Sequence, residues 1–203
     1  FQTLEVKMAD LIIPFSELAF NPKNFIEDWS NHYNYGMEDY YSNNIDKGLD
    51  NYENFLLLFQ WKNGMPNISK KKQIIVNGFW SDVSVLKKLR NNFSWELFEN
   101  TFYPSSSSAI WKIFLLHIVD KNKFPIFDQH VYRFHKYYNE SIIEEIPYSN
   151  KKKYTYYKEE YLNWFNLVKE QDSLDPKKMD EAFFKLGQII KPLKGLPLHL
   201  RYS

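Results

Sequence analysis

The sequence predicts an all-α protein, and three observations carry that reading. Apolar residues recur at three- and four-residue intervals in one segment after another. No long run alternates apolar with polar residues, as a half-buried strand would. Glycine is scarce, 6 in 203 residues, and no internal repeat or low-complexity linker interrupts the pattern. The spacing accommodates roughly eight to ten helices.

Taken in order, Asn21-Pro22 offers a cap and a first-turn proline to a helix over 23–31. Tyr52, Phe55, Leu56 and Phe59 share one face of a helix over 49–62, halted at Asn63-Gly64. The segment 69–77 is basic at its start and apolar at its end, and halts at Gly78. Val85, Leu86 and Leu89 line one side of 81–90, and Ser94 caps a short helix over 94–100. Residues 107–120 are almost wholly apolar, which marks a central buried helix. Asp128 opens a helix over 128–138, and a long amphipathic helix covers 151–170. Asp175-Pro176 caps the last helix, which runs to about Ile190 and is closed by Pro192 and Gly195. The loops richest in turn chemistry, 31–46 and 138–150, suggest a central bundle over 46–140 and a second lobe from 1–45 with 141–203.

Composition narrows the function. Hydrophobic residues at 44 % are enough for a real core. The 15 Tyr, 17 Phe and 6 Trp fill that core and its rim, and Tyr and Trp also suit half-exposed grooves. A net charge of +1 provides no global basic field, so contact with nucleic acid must be local. Lys70–Lys72, Lys87-Lys88 with Arg90, Lys151–Lys153 and Lys177-Lys178 are such patches, though each is more simply a solvated face. The absence of cysteine excludes disulfides, thiolate zinc sites and an iron–sulfur cluster carried by this chain. His117 lies in an apolar helix and reads as a core residue. His32 and His135 lack partners at ligand spacing, and His199 falls in the C-terminal tail, so no metal site is expected. No apolar run approaches membrane-spanning length and no signal pattern opens the chain, so a cytoplasmic, nuclear or nucleoid location is expected. The chain begins at Phe1 rather than Met, compatible with residues ahead of it.

The stretch 103–138 carries the chemistry. Pro104 and the serines Ser105, Ser106, Ser107 and Ser108 make a tight turn between two helices. Such a turn exposes consecutive backbone N–H groups at a helix N-terminus, where the natural polymeric anion is a phosphate. Plain helix capping by serine is the structural alternative. The apolar helix then crosses the core, and the loop 120–127 delivers Asp128 after Phe124, Ile126 and Phe127. A carboxylate there is partly desolvated and faces backbone N–H groups. It is either an ordinary N-cap or a fixed negative charge set beside a site.

These residues resemble the helix-hairpin-helix DNA glycosylase superfamily, which includes endonuclease III-like, adenine-mismatch and 8-oxoguanine glycosylases. The family pattern Asp-x-His-Val/Ile-x-Arg is matched by Asp128-Gln129-His130-Val131-Tyr132-Arg133. Phe124-Pro125-Ile126 resembles the adenine-mismatch branch, and Pro104 falls at the hairpin proline. The chain departs from the family twice. Ser105-Ser106-Ser107 stand where hairpin glycines allow positive φ and close phosphate approach. Ala109 stands where bifunctional members carry a lysine nucleophile, and Lys112 lies one turn on, about 5 Å along the axis.

The resemblance implies two helical lobes with a cleft between them. It also implies a monofunctional DNA N-glycosylase that excises a damaged or modified base with water, not an amine. Asp128 would stabilise charge on the deoxyribose and orient water toward C1′. Ser105, Ser106, Ser107, Ser108, Gln129, His130 and Arg133 would face DNA, with Arg133 either structural or phosphate-pairing. The flipped base would enter a pocket for which Trp61, Asn77, Phe79 and Trp80 are candidates by composition. Double-stranded DNA is the implied partner of a monomer that needs no cofactor or metal. Two other readings stay open: a non-catalytic nucleic-acid-binding protein that kept this fold, and a helical interaction protein with no nucleic-acid role.

Overall fold

The computed structural model describes residues 22–194, and all their regular structure is helical. The helices are α1 (Pro22–Ser30), α2 (Glu38–Ser42), α3 (Tyr52–Asn63), α4 (Lys70–Ser81), α5 (Val83–Asn91) and α6 (Trp95–Phe102). Then follow α7 (Ala109–Val119), α8 (Gln129–Glu140), α9 (Asn150–Tyr156), α10 (Leu162–Asp172) and α11 (Pro176–Ile189). Short side chains start most of them: Asn51, Ser69, Ser94, Ser108, Asp128, Ser149 and Asp175 each accept an N–H from the first turn. No described helix is long and apolar enough to cross a membrane. Asn21, Gly195 and His199 lie outside the described residues.

Three elements differ from the expectation. The helix expected to halt at Gly78 continues to Ser81, and a Cβ at Gly78 would meet nothing within 4 Å. Gly78 is thus a solvent-side helical glycine whose propensity cost is overridden by packing of Val76 and Phe79. The loop read over 31–46 contains α2. The rod expected over 151–170 is continuous but carries a π segment, Tyr157–Tyr161, between α9 and α10.

The chain forms two compact units, with boundaries at 33/34, 127/128, 146/147 and 166/167 instead of 45/46 and 140/141. The first unit holds α1, α8 and α11 among its described residues. Its apolar interior runs through Phe25, Phe134 and Phe183, with ring centroids 6.5 and 4.6 Å apart. Here α8 and α11 touch backbone to backbone. A Cβ on Gly187 would lie 1.9 Å from the His130 carbonyl oxygen, so only glycine fits.

The second unit is built around α7, where Ala109 and every residue from Trp111 to Val119 are buried. Phe59 meets Trp111 and Phe114 with centroids 5.0 and 5.4 Å apart. Burial of each such side chain contributes about 1.5–3 kcal/mol. His117 is a core histidine, as its apolar setting suggests. Nδ1–H donates to the Phe124 carbonyl at 2.7 Å, and Nε2 accepts from the Tyr41 hydroxyl at 2.8 Å.

Two glycines separate close approach from mere helix propensity. Gly187→Ala should lower stability by about 3 kcal/mol or more, whereas Gly78→Ala should raise it by about 0.5–1 kcal/mol. Thermal unfolding of both variants checks this, and equal effects would contradict the packing account.

Candidate functional site

The hairpin between α6 and α7 forms without any left-handed residue, since no position from 103 to 108 has positive φ. The turn therefore needs no glycine. Ser108 caps α7 by accepting from Trp111 N–H at 3.4 Å. The Ser105 and Ser107 hydroxyls bond each other at 2.8 Å. Ala109 N–H is taken by the Asn150 amide oxygen at 3.1 Å. The main-chain N–H groups of Ser106, Ser107 and Ser108 meet no acceptor among the described residues. Lys112 is buried, and its Nζ donates to the carbonyls of Tyr103 and Ser105 at 2.7 and 2.9 Å. Burial lowers its pKa.

The loop after α7 is held at successive points. His117 binds the Phe124 carbonyl, the Tyr157 hydroxyl donates to the Pro125 carbonyl at 3.2 Å, and Phe127 packs on Tyr156, Tyr157 and Tyr161. Two of those tyrosines come from the π segment, whose wide turn brings both to this loop. The loop ends at Asp128. Its Oδ1 accepts from the N–H groups of His130 and Val131 at 2.8 and 3.1 Å, and the residue is half-buried. This is an N-cap in full, and it fixes the carboxylate at the N-terminus of α8.

Beyond Asp128 the expected residues part ways. Gln129 is exposed. His130 is half-buried, its ring edge-on to Phe184 at 4.8 Å and its Nδ1 3.3 Å from Arg133. Its pKa is lowered, first by burial. Arg133, expected on DNA or in the structure, takes the structural place at 0 % exposure. It donates to the Gly187 carbonyl at 2.6 Å and to both Glu145 oxygens at 3.2 and 3.1 Å, leaving Nε unpartnered. A guanidinium buried this way has no face left for a phosphate. Burial pushes Glu145 up, but the charge and hydrogen bonds of Arg133, with Lys194 and Lys191, outweigh it and hold its pKa below the usual range.

The composition-based pocket does not assemble. Trp61 and Phe79 are buried in the core, and Trp61 Nε1 donates to Glu38 at 3.3 Å. Asn77 and Trp80 do meet, but through Tyr52, whose hydroxyl donates to Asn77 at 2.6 Å and whose ring packs edge-on to Trp80. Arg90, grouped above with the basic patches, donates to the Ile118 and Val119 carbonyls at 2.9 and 3.2 Å and closes α7.

Sequence reasoning missed a hollow of about 420 Å³ beside the hairpin, lined in part by Glu99, Tyr103, Pro104, Tyr154 and Lys158. Lys158 Nζ and the Tyr154 hydroxyl both donate to Glu99, at 2.6 and 3.3 Å, and burial and then Glu99 push the Tyr154 phenol up. Glu99 and Lys158 lie 59 positions apart, so no local pattern could pair them. No group of three or more His, Asp or Glu that could hold a metal occurs among the described residues. Compared with family models, curated proteins and solved structures, the chain matches none.

Two variants rank the Arg133 pair. Glu145→Gln leaves a buried guanidinium with neutral acceptors only and should cost about 2 kcal/mol. Arg133→Met leaves an exposed carboxylate and takes one donor from the Gly187 carbonyl, with no buried charge remaining, and should cost less; denaturant unfolding reversing that order would refute the assignment. A second test is acidic. Burial holds the His135 imidazole down to about pKa 4, with Glu140 opposing and Lys136 reinforcing. The folded pKa lies below the unfolded one, so this contribution is intact above the unfolded value of about 6.5. It is lost as pH falls from there toward 4, by a total on the order of 3 kcal/mol. His135→Gln should therefore flatten stability against pH in that window, as measured by unfolding at each pH.

Proposed function

We propose that this chain is a monofunctional DNA N-glycosylase acting on a damaged or modified base in duplex DNA. The observation that carries the reading is Asp128: a half-buried carboxylate locked by two N–H groups at the start of α8, directly after a loop pinned at Phe124, Pro125 and Phe127. As the base leaves C1′, positive charge grows on the sugar and the fixed carboxylate offsets it. The same group orients a water whose oxygen bonds to C1′ as the C1′–N bond breaks; the Asp128 carboxylate takes the water's proton, which passes to the departing base. Ser106, Ser107 and Ser108 offer N–H groups to a phosphate. The engagement of Lys112 with two carbonyls supports the use of water over an amine nucleophile.

The second reading, a binder that kept the fold without the chemistry, is favoured by one observation. The residues expected to receive a base do not line a common pocket, with Trp61 in the core and Asn77 tied to Tyr52.

Asp128→Asn distinguishes the two. Asparagine caps a helix about as well as aspartate, so stability should change by only a few tenths of a kcal/mol. Base release should fall by about a hundredfold or more with duplex binding kept, as read by alkali cleavage of oligonucleotides carrying a panel of modified bases. Excision at the wild-type rate by this variant removes the catalytic role, and no excision of any lesion by the wild type favours the binder.

A further inference from the structure

The hollow between α6 and α9 carries a carboxylate that uses only one of its oxygens. Glu99 Oε1 accepts from Lys158 Nζ at 2.6 Å and from the Tyr154 hydroxyl at 3.3 Å. Oε2 meets no donor among the described residues, and the Glu99 side chain lines the hollow at 34 % exposure. Lys158 is fixed in turn, its ammonium 4.7 Å from the Trp95 ring centroid. An acceptor and a charged donor thus stand side by side, each oriented by other groups. An ion pair this exposed adds little to stability by itself. Lys158 also belongs to the π segment, and π turns recur at functional sites.

Size and charge define what fits. A cavity of about 420 Å³ lies in the range of small-molecule sites. Its charged wall residues, Glu99, Glu159, Lys151 and Lys158, balance one another, which favours a neutral ligand over an ion. Tyr103, 39 % exposed, supplies an aromatic wall. Oε2 of Glu99 can take an N–H, and the Lys158 ammonium has further N–H groups to give to a ring nitrogen or carbonyl. We propose that the hollow is a binding site for a neutral planar heterocycle that carries an N–H donor beside an acceptor, the chemistry of nucleobases and xanthines. Glu99 takes the donor, Lys158 gives to the acceptor, and Tyr103 covers the ring. All three belong to the second unit, so neither the site nor its ligand depends on Asp128 or on the glycosylase reading.

Theobromine and caffeine are the probes, since caffeine is theobromine with a methyl in place of its one N–H. Binding to the full chain is followed by the amide shifts of Asn100 and Thr155, which line the hollow. Theobromine should shift both saturably. Caffeine should bind about tenfold more weakly, equivalent to about 1.4 kcal/mol for a lost hydrogen bond to a charged acceptor. Glu99→Gln should weaken theobromine by about the same factor and narrow the gap between the two ligands. Thr155→Trp fills the hollow from an exposed position and should abolish binding of both, even if Glu99→Gln fails to fold. Equal affinity for theobromine and caffeine overturns the proposal. So does wild-type affinity in a folded Glu99→Gln protein or in Thr155→Trp, or the absence of any shift with theobromine. None of these results bears on base excision by Asp128, which is read separately with lesion oligonucleotides.

Discussion

Main-chain carbonyls answer the polar groups buried along α7, and the second unit is organised around that answer. Lys112 near its start binds the carbonyls of Tyr103 and Ser105. His117 near its end binds the carbonyl of Phe124. Arg90 of α5 covers the last carbonyls, Ile118 and Val119. A helix this apolar gains its stability by being enclosed, and an enclosed polar group without a partner costs more than a hydrogen bond returns. The same bonds that make α7 tolerable in the core therefore shape the hairpin before it and the loop after it. These are the two segments to which the functional reading assigns phosphate and sugar.

In the first unit the equivalent constraint is backbone contact. Gly187 lets α11 lie against the carbonyl of His130, and Arg133 donates to the Gly187 carbonyl. Glu145 neutralises the guanidinium from the exposed side. The first turn of α8 is thus fixed by its cap at Asp128 and by its packing at His130. Under the function proposed above, this support is what would hold the carboxylate in place against a reacting sugar.

The helical class was legible because periodicity, Ser/Asn/Asp caps and scarce glycine agree, and local rules that agree identify a helix before any packing is known. Ser94, Asp128 and Asp175 cap as their positions suggest. Gly78 misled because a solvent-side glycine costs about 1 kcal/mol, less than the burial of Val76 and Phe79 beside it. The π segment had no local signal, since it exists to aim Tyr157 and Tyr161 at a loop some thirty residues earlier in sequence, as the 32-residue separation of Tyr157 and Pro125 records.

The sequence by itself determined the helices, the burial of α7, the core place of His117 and the cap at Asp128, because each depends on residues within a few positions of one another. Only the tertiary structure decided that Arg133 faces inward, that Trp61 is core, that Lys112 braces the hairpin and that Glu99 meets Lys158. Those outcomes depend on which distant carbonyl or carboxylate comes within hydrogen-bonding reach, and chain spacing carries no record of that distance.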